Sequence, residues 1–293
     1  MDSFARPGAM NDEGENIPPH PPDSATATRT ASGLELLHAP AVGDPHPVPL
    51  LFVHGAYVGA WCWAEHFLPH FAAAGFDAYA VSLRGHGFSP GREGLAGHSI
   101  DDYAADVAEA IAAIGRPPVV IGHSMGGFVL QRYLSRQALP GVVMIAAVPP
   151  QGLGAASFEL AWRDPSLLTE LNGLIQAGRA SPAALLRAMF AQPVDAERLA
   201  RYHRLCQRES PRAIWDMTFV HPFRHWGAQR VPLLYLAAEL DRLIPLHHHR
   251  SGAALLGATV ETLPGFGHGV MLESGWMQAA DCVIGWLRAQ TFA

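Results

Sequence analysis

The sequence predicts an α/β protein, a mostly parallel sheet covered by helices on both faces. Three observations point there. Short, fully apolar runs alternate with stretches of helical periodicity, as expected of strands buried on both sides and joined by crossover helices. The alternation stops between Gly152 and Arg230, where only helical patterns occur. Hydrophobic residues make up 49% of the 293-residue chain and charged residues 16%, which suits a full-sized core and excludes a disordered protein.

The elements follow in order. Residues 1–32 are rich in Pro, Asp, Ala, Thr and Asn without an apolar period, which predicts a disordered tail. Strands are expected at Gly33–His38 and, after the Pro/Gly loop Ala39–Pro49, at Leu50–His54. Residues 60–74 predict a helix with Gly75 as its C-cap. Residues 77–83 predict a strand. Ser99 and Asp102 form a capping box that opens an amphipathic helix ending near Gly115. Strand Pro118–Gly122, helix Met125–Arg136 and strand Gly141–Val148 complete the first half. Helical patterns then cover Ser166–Ala177, Pro182–Ala191, Asp195–Arg208 and Pro211–Val220. The rhythm resumes with strand Val231–Ala237, helix Leu246–Leu256, strand Ala258–Leu263 and helix Met277–Ala289. The expected organisation is a core of residues 33–151 and 231–293, with residues 152–230 as a helical cap. Such a cap would lie over the carboxyl ends of the strands, the edge where open α/β sheets bind ligands.

Composition removes several function classes. The net charge of −6 argues against a nucleic-acid partner. The chain has no lysine, which excludes Schiff-base chemistry, a P-loop lysine and a Ser-Lys dyad. Cys62, Cys206 and Cys282 are odd in number and widely spaced, so neither a disulfide framework nor a zinc site is expected. No apolar run approaches the ~18 residues of a membrane span, and no secretory signal opens the chain. A cytoplasmic protein is the expectation, with a small molecule as its partner.

Gly122-His123-Ser124-Met125-Gly126 follows an apolar strand and opens a helix, the context of a nucleophile elbow. Gly87-Phe88-Ser89-Pro90-Gly91 matches the same G-x-S-x-G pattern. The residue after the nucleophile must offer a backbone N–H to a developing oxyanion, and Pro90 has none. Ser124 is therefore the expected nucleophile, with Met125 N–H as a donor, and Ser89 is expected to be structural. A serine hydroxyl needs a base. His268, flanked by Gly267 and Gly269 after the last strand, can swing over the sheet edge. The run His247–His249 is read as helix surface, because adjacent helical residues point in different directions. Asp241, just beyond strand Val231–Ala237, can fix the tautomer of the base; Glu239 is its rival. His54-Gly55-Ala56-Tyr57 follows the second strand, and Ala56 N–H is the expected second oxyanion donor. His54 is expected to tie down a loop.

These residues resemble the α/β-hydrolase superfamily from about Gly33 to the C-terminus. His54-Gly55, the Arg84–Ser89 loop, the Gly122–Gly126 elbow, Asp241 and Gly-flanked His268 stand in that family's order. The resemblance implies an eight-stranded, mostly parallel sheet with a helical cap inserted between strands 6 and 7. The segment His54–Trp61 also looks like the esterase and hydroxynitrile-lyase branch. Cyanohydrin-cleaving members rely on a lysine that this chain lacks, and epoxide- or halide-processing relatives carry Asp at the elbow. The implied activity is hydrolysis of a carboxylic ester through an acyl-enzyme on Ser124, without metal or organic cofactor. Acyl transfer or cofactor-free haloperoxidase/perhydrolase chemistry on the same triad is one alternative. A non-catalytic ligand-binding protein on this scaffold is another. Tyr57, His123, Trp162, Phe190 and Trp215 are expected to contact a small, largely apolar substrate.

Overall fold

The apolar runs fold as one eight-stranded sheet. The structure is a computed structural model that describes residues 25–170, 181–219 and 231–292. The strands are β1 (Thr26–Arg29), β2 (Glu35–Ala39), β3 (Leu50–Val53), β4 (Ala78–Val81), β5 (Val119–His123), β6 (Val142–Ile145), β7 (Leu233–Ala238) and β8 (Thr259–Leu263). Their spatial order is β1-β2-β4-β3-β5-β6-β7-β8. β2 runs antiparallel to β1 and β4, and every other pairing is parallel.

The pleat divides the core. Leu50, Phe52, Ile121, Ile145 and Leu236 point to one face, against Trp63, Phe67, Phe71 and Val283. Leu51, Val53, Val120, Met144 and Tyr235 point to the other, against Tyr103, Val107, Phe128 and Ala253. The first layer is built by α1 (Trp61–Ala64), α2 (Phe67–Ala73) and α10 (Trp276–Ala289), the second by α3 (Ile100–Ile114), α4 (Met125–Leu134) and α9 (Leu246–Leu256). The predicted capping box is present: Ser99 Oγ accepts from Asp102 N–H, and Asp102 accepts from Ser99 N–H. Between β6 and β7 stand α5 (Gly154–Arg163), the helical segment 165–170, α6 (Pro182–Met189), α7 (Ala196–Leu205) and α8 (Pro211–Thr218). Residues beyond 170 of the predicted helix Ser166–Ala177, and Val220, lie outside the described residues. No helix among the described residues is long and apolar enough to cross a membrane.

Two elements differ from expectation. The tail predicted over residues 1–32 contains β1, which pairs with β2 from Thr26↔His38 to Arg29↔Glu35. All four side chains of β1 are exposed, so backbone pairing, with hydrogen bonds from Thr26 Oγ1 to His38 O and Thr28 Oγ1 to Leu36 O, holds this edge strand and no apolar period marks it. The helix predicted over 60–74 breaks at Glu65–His66 into α1 and α2. Pro69 lacks an N–H and its ring would meet the carbonyl four residues earlier, so it fits only the first turn of a new helix.

Candidate active site

β5 delivers Gly122 and His123 to the carboxyl edge of the sheet, and the chain reverses into α4 at Ser124. Ser124 has φ 50° and ψ −116°, a conformation L-residues avoid. The turn demands small neighbours. A Cβ on Gly126 would lie 2.5 Å from the Val53 carbonyl oxygen, and one on Gly122 would lie 2.7 Å from the Gly126 carbonyl carbon. Ser124 N–H donates to Ile145 O at 3.1 Å, anchoring the turn to β6. Its side chain does not cap α4, so the hydroxyl is available to a base.

His268 reaches that hydroxyl from the loop after β8. Its Nε2 lies 2.9 Å from Ser124 Oγ, and its Nδ1 lies 2.7 Å from Asp241 Oδ2. Nδ1–H donating to the carboxylate leaves Nε2 to accept the serine proton. Asp241 Oδ1 accepts from Leu243 N–H and Ile244 N–H at 2.8 and 2.9 Å. Burial alone would raise this carboxyl, but His268 and His249 outweigh it and hold Asp241 well below the usual carboxylate range. Glu239, the rival acid, is exposed and among the described residues accepts only from Gly265 N–H, at 2.9 Å.

The His268 loop is tied to the helical segment. Glu273 accepts from Gly267 N–H at 2.8 Å, from Ala191 N–H at 2.8 Å and from Gln192 N–H at 3.1 Å. Gly269 N–H donates to Met189 O at 2.6 Å. A Cβ on Gly267 would lie 2.7 Å from Ala191 N, so this approach requires glycine.

Two N–H groups are the expected oxyanion donors. Met125 is the first residue of α4, so its N–H has no carbonyl of its own helix to bond and points along the positive end of the dipole. Ala56 N–H makes no hydrogen bond among the described residues. Its neighbour Tyr57 has φ 67° and is held from both sides. Tyr57 N–H donates to Glu209 Oε2 at 3.2 Å, and Gln207 N–H donates to Tyr57 O at 2.9 Å. His54 ties the same loop down: Nδ1 faces Gly55 O at 2.8 Å and Nε2 accepts from Leu83 N–H at 3.0 Å. Burial lowers His54 to about 3, so it stays neutral.

Glu209 is a fully buried carboxylate that sequence reasoning missed. It accepts from His86 Nε2–H at 3.0 Å, Tyr103 O–H at 2.8 Å and Ser210 N–H at 2.7 Å. The other His86 nitrogen faces Arg84 O at 3.0 Å, so both ring nitrogens donate and the ring is an imidazolium. Burial would lower His86, but Glu209 outweighs it and raises the ring above its ordinary 6.5. Burial would raise Glu209, but His86 outweighs it and holds the carboxyl below its ordinary 4.5. The raised histidine stabilises the fold fully below pH 6.5, an effect lost as pH rises through its folded value. The lowered carboxyl stabilises fully above pH 4.5, an effect lost as pH falls. Glu209→Gln is therefore expected to destabilise the protein by about 3 kcal/mol. Denaturant melts should show the largest gap from wild type between pH 4.5 and 6.5 and a narrowing gap above it. A pH-independent gap would contradict an ion pair.

Several expected contacts are placed elsewhere. His123 is buried and donates Nε2–H to His268 O at 2.8 Å instead of facing a substrate. Burial and the neighbouring His268 lower it to about 3. Trp162 and Trp215 face solvent at 77% and 58% exposure, because their helices turn Leu160 and Met217 inward instead. Phe190 is buried and lines a cavity of about 530 Å³ with Leu160, Leu167, Leu246, Arg163 and Arg242. That cavity adjoins Asp241, and neither Ser124 nor His268 lines it. Ser89 is structural: its hydroxyl donates to Ser82 O at 2.5 Å and accepts from Glu35 N–H at 2.9 Å. His249, expected on a helix surface, is fully buried and lies 3.0 Å from Asp241 Oδ2. His247 and His248 do reach the surface side, where both point Nε2 at Glu159 Oε2, at 3.0 and 3.1 Å. With Glu159 they form a triplet of metal-ligating groups whose ligand atoms lie within 4.8 Å of one another.

A model of the alpha/beta hydrolase family matches residues 50–280. The non-heme chloroperoxidase of Burkholderia pyrrocinia is 26% identical over 266 residues, 82% of this chain and 91% of that protein. The bifunctional esterase/perhydrolase of Acinetobacter calcoaceticus is 34% identical over 111 residues, 36% of this chain and 39% of that protein. The crystal structure of a bromoperoxidase from Bacillus anthracis superposes with a TM-score of 0.72 at 19% identity, covering 90% of this chain and 100% of that one, a likeness of fold.

Proposed function

This chain belongs to the alpha/beta hydrolase family, and within that family we propose that it is a serine esterase acting on small, largely apolar carboxylic esters. The observation that carries the reading is the continuous relay Ser124–His268–Asp241, with contacts of 2.9 and 2.7 Å on three separate loops of the sheet edge. In this reading His268 Nε2 takes the Ser124 proton as Oγ attacks the ester carbonyl. Ala56 N–H and Met125 N–H receive the oxyanion, His268 returns the proton to the departing alcohol, and a water activated by His268 then releases the acid. Asp241 holds the imidazole in the accepting tautomer throughout. Residues 152–230 act as the cap, supported by the bonds of Glu209 to Tyr57 and of Met189 to Gly269, which bring its segments onto both catalytic loops.

A screen of nitrophenyl esters of increasing acyl length tests the reading. Turnover is expected with short acyl groups, with kcat/KM changing steeply with length. No turnover on any ester would favour a binding protein on this scaffold. Perhydrolysis is the second reading, favoured by the relatives named as a chloroperoxidase and an esterase/perhydrolase. There hydrogen peroxide replaces water on the acyl-enzyme and releases a peracid. Peracid formation that competes with hydrolysis as peroxide is added would establish it.

A further inference from the structure

Asp241 Oδ2 is shared by two imidazoles. His268 Nδ1 approaches it at 2.7 Å and His249 Nε2 at 3.0 Å. The second ring has no place in the serine relay, yet both it and the carboxylate are fully buried. On its other side, His249 Nδ1 lies 3.0 Å from Tyr235 Oη, and Tyr235 Oη lies 2.6 Å from Ala147 O.

Counting protons assigns the state of this chain. Ala147 O can only accept, and at 2.6 Å the Tyr235 proton must lie between the two oxygens. Tyr235 Oη then has only lone pairs to offer His249, so Nδ1 carries a proton. Asp241 Oδ2 also accepts, so Nε2 carries one too. A neutral His249 leaves either Ala147 O against an unprotonated oxygen or a ring nitrogen against a carboxylate with no proton between them.

We propose that His249 is held as an imidazolium on Asp241, and that through this shared carboxylate it makes His268 a weaker base than a triad with an unshared acid would have. His249 is a positioning residue, since it touches neither the substrate nor Ser124. The inference rests on the esterase reading for its kinetic consequence alone. With Asp241 already neutralised in the resting protein, protonating His268 adds a second cation beside one carboxylate.

Among the described residues no other hydrogen-bond partner reaches the His249 ring. Tyr235 of β7 and Asp241 of the β7–α9 loop are its bonded neighbours among the described residues. His268 lies across Asp241, and His123 of β5 packs on His268 with ring centroids 4.9 Å apart and donates Nε2–H to His268 O at 2.8 Å. On α9 itself, His247 and His248 turn to Glu159 of α5, and Arg250 is exposed. Burial pushes the Tyr235 phenol well up, so it remains protonated.

Two measurements on the full chain decide the proposal. In ¹⁵N-histidine spectra at pH 7, the resonances that vanish in His249→Gln are expected to report two protonated nitrogens. The acid limb of kcat/KM on a nitrophenyl ester is expected to move up by about one pH unit in His249→Gln, because a buried cation near His268 is gone. Tyr235→Phe, which removes the acceptor for Nδ1–H, should move the limb the same way by less, and serves if the first variant does not fold. A His249 with one unprotonated nitrogen at pH 7 overturns the proposal, as does an unmoved acid limb in a folded variant. A purely packing role would lower stability and leave the limb where it is. Failure of a fluorophosphonate to label Ser124 would instead reject the esterase reading, while the spectra would still decide the state of His249.

Discussion

Ser124→Ala is expected to lower kcat on a nitrophenyl ester by about 10⁴- to 10⁶-fold and to abolish fluorophosphonate labelling. The size follows from the geometry. His268 Nε2 has one serine proton to accept, at 2.9 Å, and removing the hydroxyl removes both the nucleophile and the purpose of the base. In the proposed mechanism the Ala56 and Met125 N–H groups and the binding surface remain, which together give only weak catalysis over water. Stability should change little, because alanine at φ 50° keeps the strain of the elbow without relieving it. Ser124→Gly, by contrast, should raise the melting temperature while remaining inactive, since glycine tolerates this backbone region. A Ser124→Ala protein that folds and retains ester turnover within tenfold would contradict the assignment.

The second large effect belongs to the acid. Asp241→Asn is expected to reduce turnover by up to ~10⁴-fold. The asparagine oxygen can still accept from Leu243 and Ile244 N–H, so the loop keeps its shape. The amide nitrogen then faces His268 Nδ1 and His249 Nε2 as a donor, where both rings were donating. His268 is driven to carry its proton on Nε2, against Ser124, and can no longer act as a base. Glu239→Gln should cost less than tenfold, because Glu239 is exposed and its bond is to Gly265 N–H, away from His268 Nδ1, which Asp241 holds. Comparing kcat/KM for the two variants checks the choice of acid, and a larger loss in Glu239→Gln would reverse it.

The sheet was legible because its strands are buried on both faces and so appear as unbroken apolar runs, such as Leu50–Val53 and Val142–Ile145. The elbow was legible because one short stretch had to satisfy three constraints: small residues around Ser124, a donor N–H after it, and a strand before it. Pro90 excluded the competing motif by the same reasoning. What stayed hidden depends on partners far away in the chain. Glu209 sits 152 residues from Tyr57, in the link between α7 and α8, where no local motif marks it. Glu273 follows the apolar run Val270–Leu272 and carries no local signal that it receives three backbone N–H groups. His249 was grouped with two surface neighbours, although residues adjacent on a helix point in different directions and one of three can face the core. Trp162 and Trp215 show the converse, large aromatic side chains that face solvent where residue type suggested a pocket. The helical segment between β6 and β7 is bonded to the Tyr57 and Gly269 loops. Removing residues 153–228 would strip Tyr57 of Glu209 and Gly269 of Met189, so the core without them should lose order in both loops.

The most direct test of an acyl-enzyme on Ser124 is to map the adduct left by a fluorophosphonate. Trypsin cuts this lysine-free chain only at arginine and does not cut Arg116–Pro117, so Ser89 falls in the peptide 85–92 and Ser124 in the peptide 93–132. The expected result is a single adduct in the longer peptide, fragmenting to Ser124 and not to Ser99, with ester turnover lost in proportion to labelling. An adduct on Ser89, or full loss of activity with Ser124 unmodified, would contradict the account.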